Sequence, residues 1–276
     1  MYFCTKLLNS KLMKNILVPV GSTKSGINNL KYALNFASMN GGKVFLMSVY
    51  KDSMKIEDIA KVNEFWKNEK EQQLKDVIKA VNTKGVEIAI QAIKGDPFDE
   101  ILKTYKKENI DLVILSPQSV EIDDRIYLGE ITGKIVKQTE IPLLIVPDNF
   151  LFRKFESILL AFKTGRFTKE NMLDPLKYMK DVFNSEINLL QVITPETTEE
   201  HLVIDEELLA LKTSLKTTKN ATTFQGVLEH FQSAKPDMLC VVRRKRGFFK
   251  KLWEKNSVMK RDFHTSIPLL ILSGKL

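Results

Sequence analysis

Ser116, Ser119, Gly129 and Glu130 are the residues of this chain best placed for ligand chemistry. Asp111 precedes Leu112, Val113, Ile114 and Leu115, an unalternated run that reads as a strand buried on both faces, and Ile141 to Val146, closed by Pro147, reads as another. The polar loop between them begins Ser116-Pro117-Gln118-Ser119, and Gly129 and Glu130 open a helix with Ile131, Ile135 and Val136 on one side. A loop that leaves a parallel strand and enters a helix offers free N–H groups and positive dipole to an anion. Glycine lets the backbone approach a phosphate closely, whereas a carboxylate satisfies the same dipole and repels the phosphate. Glu130, Asp123 and Asp124 bring acid to this loop, and Arg125 is the base beside them.

Other chemistry is weaker. Ser116 and Ser119 lack the Gly-x-Ser-x-Gly elbow of a nucleophile, which leaves turn hydrogen bonding as their role. His201, His230 and His264 have neither metal-ligand spacing nor a partnered Ser or Cys, so no acid–base constellation is visible. Cys4 and Cys240 make no disulfide framework or metal knuckle, which fits a reducing cytoplasm. Phe65 and Trp66 fall within a long helical stretch and read as core or interface. The segment RRKRGFFKKLWEK, Arg243 to Lys255, has two readings. It is an anionic-membrane or nucleic-acid binder, or a helix whose aromatic residues pack while its basic groups are solvated.

The chain has 276 residues, enough for two domains that each bury a core. No apolar run approaches the roughly 20 residues that span a bilayer. Met1 to Leu12 makes a poor signal peptide, and Met13, directly before the first strand, reads as the working start, with residues 1–12 as an extension. The net charge of +8 divides unevenly: residues 1–150 carry 21 Lys or Arg against 19 Asp or Glu, and residues 151–276 carry 21 against 15. Arg243 to Arg261 alone holds nine basic residues and one acid, Glu254.

The elements that must position the loop read as alternating strands and helices. Asn15 to Val20 is a strand, Ile27, Leu30, Leu34 and Ala37 mark a helix face, and Lys43 to Tyr50 is a second strand. Ile56 to Val81 is mostly helical, Val86 to Ile93 is a third strand, and Asp96-Pro97 suits the cap and first turn of a helix bearing Phe98, Ile101, Leu102 and Tyr105. Five strands alternating with four helices argue for a parallel α/β sheet covered on both faces. The second half repeats the first. Leu176-Lys177-Tyr178 repeats Leu30-Lys31-Tyr32, and Asp237 to Val241 and Ile267 to Leu270 stand at a constant offset of 126 from Asp111 to Leu115 and Ile141 to Leu144. Val49 to Gly95 spans 46 positions but Val192 to Ala221 only 29, so the second copy has lost most of the long helix or the third strand.

Laid out this way, the chain from Met13 to Leu276 resembles a tandem universal stress protein of the UspA-like kind. MKNILVPV, NNLKYALNFA, GDPFDEIL, DLVIL and IPLLIVP carry the resemblance in the family's order, and RKRGFFKKLW with FHTSIPLLIL resembles its degenerate C-terminal copy. The resemblance implies two tandem open-sheet α/β domains, residues 13–150 and a shortened 151–276. Each is a five-stranded parallel sheet of order 3-2-1-4-5 with helices on both faces, similar to the adenine nucleotide alpha hydrolase fold. It also implies a ligand crevice between the first and fourth strands, where Val20, Gly21, Val49, Ser116, Ser119, Gly129 and Glu130 are the candidate nucleotide-binding positions. Family members that bind ATP carry an Asp after the first strand and Gly-x2-Gly-x9-Gly-Ser after the fourth. Here Gly21 replaces the Asp, Ser116 and Ser119 replace the first two glycines, Gly129 is kept and Glu130 replaces the final Ser. In the second copy Lys163, Val242, Lys245, Lys255 and Asn256 occupy these places, leaving Lys163, Arg243 and Lys245 as a candidate side-chain anion site beside the reading of a solvated basic face.

The expectation is a cytoplasmic, non-enzymatic stress protein without a cofactor, acting through unidentified protein partners, its ATP motif degraded. An ATP- or AMP-binding switch and a polyanion or membrane-surface binder are the rivals. The fifth strands, Leu143 to Val146 and Leu269 to Leu272, are expected to pair edge to edge as an internal pseudo-dimer, and a further homodimer of chains is expected.

Overall fold

A computed structural model describes residues 13–51, 59–118, 125–167, 171–243, 258–260 and 263–273. In the first half, β1 (Asn15–Pro19), α1 (Thr23–Ser38), β2 (Lys43–Tyr50), α2 (Ile59–Lys79), β3 (Glu87–Lys94), α3 (Pro97–Lys107), β4 (Leu112–Leu115), β5 (Ile126–Leu128), α4 (Glu130–Gln138) and β6 (Leu143–Ile145) follow in order. The second half contains β7 (Ser157–Phe162), α5 (Asp174–Phe183), β8 (Glu186–Ile193), α6 (Glu199–Leu202), α7 (Glu206–Leu211), β9 (Ser214–Lys219), α8 (Thr223–Ala234), β10 (Met238–Arg243), β11 (Val258–Met259) and β12 (Leu269–Ser273).

Ten strands form one sheet in the order β3-β2-β1-β4-β6-β12-β10-β7-β8-β9. Each half therefore has the 3-2-1-4-5 order, with every neighbour inside a half parallel. The fifth strands meet antiparallel, with Leu269 opposite Ile145, Leu270 opposite Leu144 and Ile271 opposite Leu143. All six side chains are buried, so the sheet's two weakest edges close one another. The second copy keeps its third strand as β9. What it has lost is the long helix: α2 spans 21 residues, whereas α6 and α7 span 4 and 6. The short β5, which the apolar pattern does not announce, pairs antiparallel with β11 and ties the loop after β4 to the second half.

The repeated residues do the same work in both halves. Asp111 Oδ2 accepts from the backbone N–H of Lys14 (2.9 Å) and Asn15 (3.1 Å), and Asp237 Oδ2 from Glu156 (2.9 Å) and Ser157 (3.0 Å), so each carboxylate fixes the start of its first strand. The repeated tyrosines bind the halves together. Tyr32 donates to the Phe150 carbonyl (3.2 Å) and packs on Phe152 and Phe155, while Tyr178 donates to the Phe36 carbonyl of α1 (2.8 Å). Burial pushes both phenols well above their ordinary pKa. Asp96 caps α3, accepting from Phe98 N–H (3.0 Å) and Asp99 N–H (3.4 Å), with Pro97 in the first turn. Burial pushes the Asp96 carboxyl up, but Lys51, 3.1 Å away, and the two N–H groups outweigh it and hold the pKa below the ordinary carboxylate value.

Candidate ligand site

A cavity of about 220 Å³ opens at the carboxyl ends of β1, β2 and β4. Its walls are Pro19, Val20 and Gly21 at and just after the end of β1, Met47, Ser48 and Val49 at the end of β2, and Leu115, Ser116 and Gln118 at and just after the end of β4. Helices close the rest: Ser25 of α1, Lys70 of α2, Pro97 and Ile101 of α3, and Ile131 and Thr132 of α4. The place follows from topology. After β1 the chain turns to the helices on one face, after β4 to those on the other, and the crevice between diverging loops is where open α/β sheets bind ligands. Val20 N–H donates to the Met47 carbonyl (2.7 Å) as the last rung between β1 and β2. Strand alternation then turns the N–H and C=O of Val49 to the same side, beyond the end of β1.

The floor is polar and held from below. Asn29, 1% exposed inside α1, donates Nδ2 to Ser116 Oγ (3.0 Å), and Thr132 Oγ1 donates to the Ser116 carbonyl (3.1 Å). Because Ser116 Oγ accepts from Asn29, its own proton is available to a ligand acceptor. Gln118 donates its amide to the Ile126 carbonyl, and Gly129 N–H donates to the Pro117 carbonyl (2.9 Å), which folds the loop back on itself. Of the candidates named from sequence, Val20, Gly21, Val49 and Ser116 line this cavity together. Gly129 and Glu130, which directly precede the lining residues Ile131 and Thr132, do not themselves line it, and Ser119 lies outside the described residues. Gly129 is the N-cap of α4 with an ordinary φ of −64°, and an added Cβ would meet Gln118 at a comfortable 3.5 Å. The fold itself therefore does not require glycine there. Glu130 occupies the first position of α4, exposed, in the helix's positive field.

Sequence reasoning missed Asn29, Lys70, Gln118 and Thr132. Asn29 had a visible signal, a second asparagine between Ile27 and Leu30 on the apolar face of a helix. Lys70 had none, because its position depends on how α2 crosses β2 and β3.

Of the second copy's three candidate anion residues, the structure describes Lys163 and Arg243. Arg243 is only 2% exposed and donates Nη1 to the Thr139 carbonyl and Nη2 to the Lys137 carbonyl, at the C-terminus of α4. Its charge meets the negative end of a helix from the other half, so it is an internal clamp and no surface anion receptor. Burial pulls the Arg243 guanidinium down to about 10, with Glu140 pulling the other way. Lys163 faces Glu196 at 3.4 Å, and Lys245 lies outside the described residues with the rest of the basic segment 244–257. Lys137, beside the clamp, is 9% exposed with no hydrogen-bond partner for Nζ, and burial lowers its pKa.

The histidines take local roles. His201 Nδ1 accepts from Thr198 N–H (3.1 Å) in a capping box, His230 Nδ1 lies 3.2 Å from the Gly226 carbonyl, and His264 Nδ1 lies 2.9 Å from the Lys260 carbonyl. Among the described residues no cluster of His, Cys, Asp and Glu is placed to hold a metal, and no helix is long and apolar enough to cross a membrane.

The sequence model of the universal stress protein family matches residues 13–147. A universal stress protein of Methanocaldococcus jannaschii is 26% identical over 140 residues, covering 49% of this chain and 82% of that protein. Another from the same organism is 24% identical over 156 residues, covering 50% of this chain and 96% of that protein. A solved universal stress protein from Archaeoglobus fulgidus matches with a TM-score of 0.73 at 15% identity, covering 95% of this chain and 99% of that one, and so shows the same fold across both halves. Fold and crevice define an α/β protein of the nucleotide alpha hydrolase type. Residues 13–147 form a domain of the UspA-like universal stress protein family, and a second, partial copy of the fold follows.

Proposed function

We propose that this chain is a non-catalytic, cytoplasmic stress-response protein that acts through its protein surfaces, its domains being residues 13–150 and 151–276, and that its first crevice has lost triphosphate binding. Glu130 carries the reading. A carboxylate at the first position of α4 already satisfies the helix dipole and opposes phosphate at the same amides. Among the described residues that line the cavity, Lys70 is the cation, and it reaches toward Gln73 at 3.4 Å. Calorimetric titration of the purified chain with ATP, with mass spectrometry for any ligand carried through purification, tests the reading. It expects no heat and no retained triphosphate. Micromolar ATP binding that Gly129→Asp weakens overturns it.

A second reading rests on the cavity. Apolar walls from Val20, Met47, Val49, Ile101 and Ile131 around the polar groups of Ser48, Ser116 and Thr132 suit a flat heterocycle. The space is smaller than the roughly 300–1,000 Å³ of drug-sized ligand sites, as expected for a base and ribose that leave any phosphate outside the walls. On this reading AMP or adenosine is the switch ligand. Saturable heat with adenosine, abolished by Ser116→Val, supports it, and silence with both compounds removes it.

A further inference from the structure

We propose that β3 is the surface through which two copies of this chain pair, strand to strand about a two-fold axis. With β6 and β12 joined, the end strands of the ten-stranded sheet, among the described residues, are β3 and β9. They differ in one respect that matters for association. The edge β9 carries exposed Lys216 and Lys219, the kind of charge that blocks pairing with another chain. From Ile88 to Ile93, β3 carries no charge: Ile88, Ala89, Ile90, Gln91, Ala92 and Ile93 run without a gatekeeper, and Ile90 is 39% exposed.

The hydrogen-bond phase of this edge is fixed. Gly95 N–H donates to the Tyr50 carbonyl (3.0 Å), so the odd-numbered residues of β3 turn their backbone groups toward β2. Ile88, Ile90, Ala92 and Lys94 then turn theirs outward. A two-fold axis perpendicular to the sheet makes an antiparallel pair and keeps each face on its own side, so only residues of the same parity can stand opposite.

Among such registers, the one centred on Gln91 makes the strand complementary to itself. Ile90 stands opposite Ala92 of the second copy and Ala89 opposite Ile93, large against small on both faces. Gln91 meets its own mate in the closely spaced non-hydrogen-bonded position, where two amides satisfy one another. The outward groups of Ile88, Ile90, Ala92 and Lys94 then become ladder partners. The neighbouring register, centred on Ile90, sets the short Glu87 carboxylate opposite Ile93, whereas the Gln91 register sets Lys94 opposite Ile88, where the lysine stem packs on isoleucine and its ammonium stays in water. The occupant is a second copy because the strand's own sequence supplies the matching sizes and the paired amide. The α2 helix, packed on β2 and β3, carries Phe65, which is 64% exposed.

Sedimentation equilibrium of the full chain, with cysteine cross-linking, tests the proposal. The expected result is a dimer whose dissociation constant rises roughly tenfold or more in Ile90→Lys, which places on β3 the charge that β9 already has. In a Cys4→Ser background, Gln91→Cys should form an interchain disulfide under mild oxidation faster than Ile90→Cys. Buried Cys240 is out of reach. A chain that is monomeric at every accessible concentration overturns the proposal, as does a dimer indifferent to Ile90→Lys in which Gln91→Cys stays reduced.

Discussion

The two crevices of this molecule begin from one topology and end differently. In the first half the space beyond β1 and β4 is a cavity with a polar floor, Ser116 held by Asn29. In the second half the matching strand position is Val242, 6% exposed in the apolar core, and the helix position matching Asn29 is Pro175. The chain that replaces the long helix then folds inward. Gly165 forms a β-bridge with Ile204, Asp205 N–H donates to the Gly165 carbonyl (3.1 Å), and Phe167 N–H donates to Asp205 Oδ2 (2.6 Å). A Cβ at Gly165 would lie 2.8 Å from the Ile204 Cα, so glycine here is what lets the plug come this close. Shortening the helix thus did more than shrink the domain. It supplied the segment that packs beside the end of β7, while Arg243 clamps the helix that borders the first crevice.

The sharpest way to break this contrast is at the clamp. Arg243→Ala should cost about 3 kcal/mol of stability, because it leaves two buried carbonyls at the end of α4 unpaired and opens a void. Urea unfolding followed by circular dichroism measures it. Gly165→Val comes next, at about 2 kcal/mol, by forcing Ile204 away from the end of β7. The telling readout is protease cutting near Ile204, which should rise in this variant and stay unchanged in Gly129→Ala, where the added methyl group has room. Lys137→Met should act in the opposite direction, raising stability by about 1 kcal/mol by removing a buried ammonium without a partner. The pH dependence has a definite sign. Lys137 has a lowered folded-state pKa, so its charge penalises the fold fully below that pKa, and the penalty fades as pH rises through it toward the unfolded value near 10.5. The advantage of Lys137→Met should therefore be largest near neutrality and shrink in alkali.

Much of the fold was legible because it depends on local runs. Unalternated apolar strands, the Asp96-Pro97 cap and the offset of 126 all survive as a sheet of two like halves, with the fifth strands paired as the family resemblance implied. Val20, Gly21, Val49 and Ser116, the positions that the family resemblance implied, lie together on the wall of the first crevice. Its remaining walls were not legible, since Lys70 and Thr132 reach it from helix positions that no linear spacing marks. The second half was harder to read for a related reason. Lys163 and Arg243 look alike as basic residues at strand ends, but one points to the surface and the other across the domain junction, and only the three-dimensional packing separates them.

Those two residues give the smallest prediction and the most discriminating one. Lys163 has a mostly buried stem, 16% exposed at its side chain, and its ammonium lies 3.4 Å from a Glu196 carboxylate that is 70% exposed. An ion pair with one partner in solvent is worth little, since water and salt screen it and the glutamate gives up rotamer freedom to hold it. Lys163→Met keeps the stem and removes only the charge, so it should change stability by less than about 0.5 kcal/mol, against about 3 for Arg243→Ala. Such a gap between two residues of one apparent basic pair would mean that the second crevice is stabilised by its plug and the clamp, with no part played by anion binding. A loss at Lys163 comparable to that at Arg243, reversed by added phosphate, would restore the anion site and return the second crevice to the list of ligand pockets.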